Sequence, residues 1–440
     1  MRVAQPPDFR STLAGAETVA AFSDPRYIEV ARRCEAKYRH WDKARFLARE
    51  AGLDPETLWG VIKIGRLARY RDLPLSDRAG RPLGIITPDA VQRELMLIDQ
   101  QLAGQLLFDD ASPVTAEQRD RFIISALMEE AIASSKLEGA STTVRVAKDM
   151  LRKARRPRDR SEQMIVNNYR AIGFVREHSD SPLSMDMLLE VQRILTENTL
   201  DNPDEAGRLR RPDERVVVQD NFGETLHEPP PAADLPSRIE RICQFASAPI
   251  TADEFIHPVV RAAALHFQIA YDHPFCDGNG RTARAIFYWS MLRAGYWLFE
   301  FLPISRLIYA SPGQYGRAFL YTETDDFDFT YFLVYHTRII AQARRDLADY
   351  LSRKRSQQAA ARRLFGEDRL NERQRTLLMR ALEHKDAALT IEAHQRASGV
   401  SYYTARADLL GLESLGYLQK RSVGRRFEFL PADRLNDLMK

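Results

Sequence analysis

Apolar residues return every three or four positions along most of this chain, and that spacing is the strongest constraint on its fold. The pattern runs through Arg26–Phe46, Pro55–Tyr70, Asp89–Leu106, Ala116–Glu138, Gln163–Glu177, Met185–Leu195, Pro236–Phe245, Val259–Tyr271 and Asn279–Gly295, and again from Gly313 to about Lys354. Helices patterned this way bury one stripe each against their neighbours, so a mainly α architecture is expected. Residues 1–25 read as a loosely ordered arm. The stretch Leu73–Thr87, rich in Pro, Gly and Asp, reads as a loop, with Pro88 at the start of the next helix. Gly139 suits the left-handed position after Ala116–Glu138, and Ser141 is placed to cap a helix reaching about Arg155. The basic run Arg152–Arg160 reads as a solvated helix end. The exception to the helical period is residues 201–232. There Val216, Val217 and Val218 are β-branched and bounded by Asp, Asn and Gly, which predicts a strand beside a turn, and Pro229–Pro231 close the region in extended backbone.

The 440 residues are enough for two or three domains, and 44% hydrophobic against 28% charged residues excludes wholesale disorder. A net charge of +3 marks neither a nucleic-acid coat nor a membrane-surface protein. Three cysteines, Cys34, Cys243 and Cys276, form no CxxC pair, so neither a disulfide framework nor a structural zinc site is expected. Met1–Phe9 has no basic region leading into an apolar stretch, and no apolar run reaches membrane-spanning length. The expected compartment is the cytoplasm, with no membrane partner.

One segment carries chemistry: His273-Pro-Phe-Cys-Asp277-Gly278-Asn279-Gly280-Arg281-Thr-Ala-Arg284. A Gly-Asn-Gly loop feeds directly into a helix. Glycines allow the backbone to approach a ligand closely, and the free N–H groups with the positive end of the helix dipole form an anion site. Arg281 and Arg284, three apart, share a helix face from which guanidinium groups can grip phosphate oxygens. Asp277 is an acid at a site otherwise built for anions, which is explained by Mg²⁺ bridging phosphates. His273 can take a proton near neutral pH. Each residue alone has an ordinary explanation: a helix cap, a turn, a solvated charge. Their conjunction within one short segment points to phosphoryl or nucleotidyl transfer, without the spacing of a Walker A loop. His257 and His266, outside the segment, read as satisfied structural histidines.

The segment resembles the motif of the Fic family, His-Pro-Phe-x-Asp/Glu-Gly-Asn-Gly-Arg-x-x-Arg, at every specified position, and the resemblance extends over roughly residues 110–345. It implies that His273 deprotonates the Ser, Thr or Tyr hydroxyl of a target protein. It further implies that Asp277 holds Mg²⁺, and that Gly278, Asn279, Gly280, Arg281 and Arg284 bind the ATP phosphates. Tyr315 would line the adenine pocket. The segment Val216, Val217, Val218, Gln219 resembles the family's flap, along which the target docks as an added strand. Upstream, Ser134-Ser-Lys-Leu-Glu138-Gly139 resembles the family's inhibitory motif. There Ser134 marks the motif's start and the Glu138 carboxylate pairs with Arg284, where the γ-phosphate must lie. The implied activity is transfer of AMP from ATP to a protein hydroxyl, autoinhibited by Glu138. Removal of AMP by the same residues is the alternative.

Residues 371–440 change character. Ile391–Ala397, a turn at Gly399, Tyr402–Gly416, and the strands Tyr417–Lys420 and Arg426–Leu430 joined at Gly424 resemble a winged helix-turn-helix. Leu409, Leu410, Leu412 and Leu415 give its recognition helix an apolar side, and Lys420, Arg421, Arg425 and Arg426 cluster on the wing. Such a module docks DNA or protein equally well, and basic residues here outnumber acidic ones only slightly. A DNA-binding regulator with a nucleotide-sensing Fic core is therefore a third reading. The expected organisation is an N-terminal helical region over 1–108 and an all-α Fic core with a β-hairpin flap over 109–350. A helical linker over 351–370 and a small α/β winged helix over 371–440 complete it, in a chain able to form homodimers.

Overall fold

The computed structural model describes residues 3–8, 16–102, 116–220, 222–249, 255–365, 369–383, 389–423 and 426–437. The chain divides into two compact units, Met1–Arg344 and Arg345–Lys440. The architecture is mainly helical, with three small antiparallel sheets among the described residues. No helix among them is long and apolar enough to cross a membrane.

In the first unit, helix Pro258–Asp272 is the structural axis. Every residue from Val259 to Asp272 is buried, the signature of a helix surrounded on all sides. Helix Asn279–Arg293 packs beside it and is buried almost as completely, including Arg281 and Arg284. Phe267, Phe319, Phe329 and Phe332 form an aromatic cluster against the first helix, with ring centroids 4.7–6.0 Å apart. Helices Ala116–Leu137, Arg160–Glu177 and Met185–Thr196 complete the surround. Asp159 and Ser184 cap the last two, their side chains accepting from Glu162 N and Met187 N.

Several expected elements take a different form. Arg26–Phe46 is two helices, Pro25–Glu35 and Trp41–Glu50. The break falls at Tyr38, whose φ is 44°, and His40 caps the second helix by accepting from Asp42 N at 3.1 Å. Helical spacing of apolar residues does not register a single left-handed residue. The arm contains a helix, Ala16–Ala21. Leu73–Thr87 is not a loop: Arg71–Ser76 pairs antiparallel with Pro82–Ile85 across the turn at Asp77–Arg81. Leu73, Leu75, Leu83 and Ile85 are its buried face, an alternation that Pro and Gly mask in the sequence. Thr143, not Ser141, caps the next helix, Val144–Arg152, while the Ser141 side chain meets Ser161. Helix Asp89–Leu102 starts where expected, and residues 103–106, the rest of the expected span, lie outside the described residues.

The N-terminal layer joins the rest of its unit through buried charge. Lys63 Nζ donates to Asp325 Oδ1 at 2.6 Å, and Arg66 reaches Glu35 Oε1 at 2.8 Å, with Tyr38 and Tyr331 against its guanidinium. Tyr38 and Tyr70 hydroxyls both donate to Asp328 Oδ2.

In the second unit, helices Glu372–Glu383, Ile391–Ser398 and Tyr402–Ser414 pack against a sheet of three strands. Leu418–Val423 pairs with Arg426–Pro431, and Leu389–Thr390 lies on the latter's other side. Leu378, Leu409, Leu412 and Phe429 are fully buried in its core, with Leu410 and Leu415 packed against it. Asp408 anchors the polar interior, accepting from Arg373 Nε at 2.9 Å and Asn371 Nδ2 at 3.0 Å beside His394. Helix Thr330–Phe365 runs through the expected linker start. Gly424 and Arg425, expected at the wing tip, lie outside the described residues.

Breaking a buried ion pair leaves an uncompensated charge, at a cost of about 3–5 kcal/mol. Lys63→Ala is expected to destabilise the first unit near the lower end of that range, because Arg66 Nη1 also lies 3.7 Å from Asp325. Urea denaturation followed by tryptophan fluorescence checks this; a change below about 1 kcal/mol is inconsistent with the pair joining the layer to its core.

Candidate active site

Helix Pro258–Asp272 ends at His273 in the left-handed conformation, φ 42° and ψ 60°. A non-glycine residue tolerates this only when its surroundings hold it. Arg210 does so: its Nε donates to the His273 carbonyl at 2.8 Å, and its main-chain N–H to the Pro274 carbonyl at 2.9 Å. His273 Nδ1 lies against the Ala270 carbonyl, so Nδ1 carries the hydrogen and Nε2 keeps its lone pair. Burial pushes the imidazole pKa down to about 4, against the opposing pull of that carbonyl, with His227 contributing to the fall. The ring is therefore neutral at physiological pH, with Nε2 open to accept a proton.

The following loop is stapled by its own asparagine. Asn279 Oδ1 accepts from Phe275 N at 2.9 Å, and its Nδ2 donates to the Phe275 carbonyl at 2.8 Å. The Asn279 side chain thus braces the loop. Gly278, φ 89°, is the N-cap of helix Asn279–Arg293 without a side-chain cap bond, which leaves first-turn N–H groups for an anion. A Cβ at Gly278 would stand 3.1 Å from Thr196 Cγ2, so both backbone and space require glycine. Asp277 Oδ1 accepts from Gly278 N at 2.5 Å and Arg281 Nη2 at 3.1 Å. Its Oδ2 has no partner among the described residues.

The two arginines, expected to act alike, diverge. Arg281 turns inward, donating from Nη1 to the Leu195 carbonyl at 2.9 Å as well as to Asp277. Arg284 faces helix Ala116–Leu137. Its Nε donates to Ser134 Oγ at 2.8 Å, and its Nη2 to the Ser134 carbonyl at 3.0 Å and Glu138 Oε1 at 2.8 Å. Burial works against charge on Glu138, but Arg284 foremost, then Arg281 and His273, hold its carboxyl below the ordinary range. The carboxylate lies directly over Gly280, where a Cβ would stand 2.2 Å from Oε1. Glu138 thus occupies the space beside the loop that an anion needs.

Tyr315, expected at an adenine pocket, places its hydroxyl 2.8 Å from His266 Nε2. Buried His266 in turn meets His336, and burial, then His336, hold it well below the usual histidine value. His257 is a helix cap that accepts from Val259 N. The hairpin before the loop is shorter than expected: only Val218–Gln219 pairs, with Thr225–His227, and Val216 and Val217 precede the strand. The turn at Pro212–Asp213 lies upstream, and among the described residues no strand pairs with Val216 or Val217.

Residues 182–291 match the model of the Fic/DOC family. This segment is a Fic/DOC family domain. Over 115 residues the chain is 34% identical to the protein named Protein adenylyltransferase Fic of Nematostella vectensis, covering 26% of this chain and 24% of that protein. Over 95 residues it is 35% identical to the one of Drosophila willistoni, covering 22% and 17%. The chain thus spans a quarter or less of the length of these curated relatives. Among solved structures, a Fic family protein from Desulfovibrio desulfuricans G20 is similar at TM-score 0.49 and 20% identity, over 79% of this chain and 97% of that one.

Several residues around the Fic domain's loop were not legible as site residues. Glu130, four before Ser134, accepts from Tyr288 OH at 2.8 Å and Ser305 N at 2.9 Å, and burial raises its carboxyl above the ordinary range. Glu130, Ser134 and Glu138 are spaced four apart and meet Tyr288 and Arg284, also four apart, so the two helices meet antiparallel along one stripe. That spacing was the available signal. His227 closes the hairpin: its Nδ1 lies 2.7 Å from Glu323 Oε2 and its Nε2 2.7 Å from the Tyr271 carbonyl. Both partners are acceptors, so the ring is satisfied when it carries two hydrogens. Burial opposes that charge, but Glu323 and Tyr271 prevail and the pKa is raised. The His227 ring centroid lies 6.2 Å from that of His273.

A histidine whose folded pKa is raised contributes its stability in full below its ordinary value of about 6.5 and loses it as pH climbs through the raised value. Melting temperatures of wild type and His227→Gln, compared from about pH 6 to about pH 9, are expected to differ by a gap that narrows as pH rises. A constant gap would leave His227 with packing alone.

Proposed function

We propose that this chain transfers AMP from ATP to a hydroxyl side chain of a protein and is held low by its own Glu138. The observation that carries the reading is the 2.8 Å contact of Arg284 Nη2 with Glu138 Oε1 over Gly280, beside a histidine with a free ring nitrogen. In the reaction, His273 Nε2 takes the proton of the target hydroxyl. That oxygen bonds to the α-phosphorus, the bond from it to the α,β-bridging oxygen breaks, and pyrophosphate leaves with the electron pair. The first-turn N–H groups after Gly278 and the guanidinium of Arg284 hold the outer phosphates. Asp277, whose Oδ2 is uncommitted among the described residues, would hold Mg²⁺, which neutralises phosphate charge. Neutral His273 needs no prior deprotonation, because burial already holds its pKa at about 4.

The target docks along the hairpin Val218–Gln219 and Thr225–His227, adding a strand to its exposed edge. With Glu138 in place, the γ-phosphate lacks its arginine and meets like charge, so ATP binds weakly or out of line. Residues 371–440 supply a winged helix that docks DNA or a protein. Exposed Tyr402 and Tyr403 open its helix Tyr402–Ser414 and support a contact role for that face.

The test is transfer of α-labelled ATP with Mg²⁺ onto the protein itself and onto a lysate. Glu138→Gly is expected to raise labelling at least about tenfold, and adding His273→Ala to cut it by about 10²–10⁴-fold. No label in any variant would remove AMP transfer. Release of AMP from pre-labelled protein by wild type alone would assign the reverse reaction to the same residues.

The Glu138→Gly rate is further expected to stay level from pH 8 down to about pH 5, since His273 does not protonate there. An acid limb with a midpoint near the ordinary value of about 6.5 would contradict a buried base.

A further inference from the structure

We propose that the first unit holds a second anion site, for a phosphate-bearing small molecule, in a cavity of about 370 Å³ at the start of helix Pro258–Asp272. Ser247, Pro258, Arg261, Ser290 and Arg293 line it. It lies at the opposite end of the helix from His273, roughly 22 Å away for a helix of 15 residues. It is therefore separate from the Gly-Asn-Gly loop.

Arg261 is the centre of the argument. It is 8% exposed, and no carboxylate pairs with it among the described residues. Its Nη1 donates to the Ala248 carbonyl, and its guanidinium carbon lies 5.8 Å from the Phe245 ring. Its Nε is buried without a partner. Other buried guanidiniums of this unit are neutralised: Arg66 by Glu35, Arg238 by Asp272, Arg284 by Glu138. Arg210 has no carboxylate either, but its Nε and Nη2 are spent on the His273 and Pro230 carbonyls. Arg261 alone of these combines a missing counter-charge, an unspent donor and an adjoining cavity. Ser247 Oγ, on the same lining, is also buried without a partner.

The surroundings favour an anion. Arg293 lies at the rim, its Nη1 donating to the Asp180 carbonyl at 2.8 Å. Asp180, the acidic residue of the lining, engages through that main-chain oxygen, and its exposed side chain is not bonded to Arg261. Two guanidiniums and the hydroxyl groups of Ser247 and Ser290 match the tetrahedral oxygens of a phosphate, and the volume admits more than the bare ion.

Isothermal titration with inorganic phosphate tests this on the full chain, using wild type, Arg261→Gln, Ser247→Ala and Arg284→Ala. Saturable binding by wild type and Arg284→Ala, weakened about tenfold or more in Arg261→Gln and less in Ser247→Ala, supports the site. Should Arg261→Gln fail to fold, weakening in Ser247→Ala against unchanged Arg284→Ala decides it the same way. Absence of binding by wild type overturns the proposal. So does binding lost in Arg284→Ala and kept in the other two, which puts the anion in the Gly-Asn-Gly loop.

Discussion

A guanidinium buried in the middle of a core helix must find partners, and in this protein the search by Arg284 organises the site. Only 2% of its surface is accessible, so water cannot satisfy it. Ser134 provides a hydroxyl and a carbonyl, and Glu138 a carboxylate. Those partners draw helix Ala116–Leu137 along helix Asn279–Arg293, and Glu130 with Tyr288 extends the same stripe by one more rung. The arrangement leaves an ion pair where the Gly-Asn-Gly loop opens its first-turn N–H groups. Under the proposed autoinhibition, packing and control are the same contact. A group that displaces Glu138 must replace a charge-assisted bond to a buried cation, and a phosphate oxygen has the charge to do so.

The rest of the first unit serves to hold backbone in place. His273 sits in a left-handed conformation that its own side chain disfavours, and Arg210 bonds its carbonyl while Asn279 closes the loop that follows. Buried Lys63, Arg66, Asp325 and Asp328 join the N-terminal helices to helix Thr330–Phe365 and the residues just before it. These are polar solutions inside an apolar core. They are costly when broken singly and specific when complete. His227 belongs to the same class, bridging the hairpin to Tyr271 and Glu323 within ring distance of His273.

How much of this was legible differs by kind of residue. Periodicity located the central helices to within three residues, because a buried helix must be apolar where it is buried. It overran the break at Tyr38, where one positive φ ends a helix without altering composition. It also missed the hairpin Arg71–Ser76/Pro82–Ile85, whose apolar face is diluted by Pro and Gly. Val216 and Val217 show the opposite error, since β-branched residues do not make a strand without a partner opposite them. In the site, the Gly-Asn-Gly loop and His273 followed from spacing and charge, and the pairing of Glu138 with Arg284 from the resemblance to the inhibitory motif. The division of labour did not. Nothing in the sequence turns Arg281 to Leu195 and Asp277, or marks Asn279 as a brace.

By itself, then, the sequence determined a mainly helical chain, a Gly-Asn-Gly anion loop at a helix start, a histidine beside it and a carboxylate upstream of the right charge. Those are local properties: period, backbone permissiveness and side-chain type act over a few residues. Tertiary structure decided which nitrogen of His273 is free, where the Arg281 guanidinium goes, and how far the imidazole pKa falls. It also brought Glu138, His227 and Arg210 to the loop from positions 46–135 residues away along the chain. Burial, dielectric and the identity of a hydrogen-bond partner depend on residues distant in the chain, and only the packed fold specifies them.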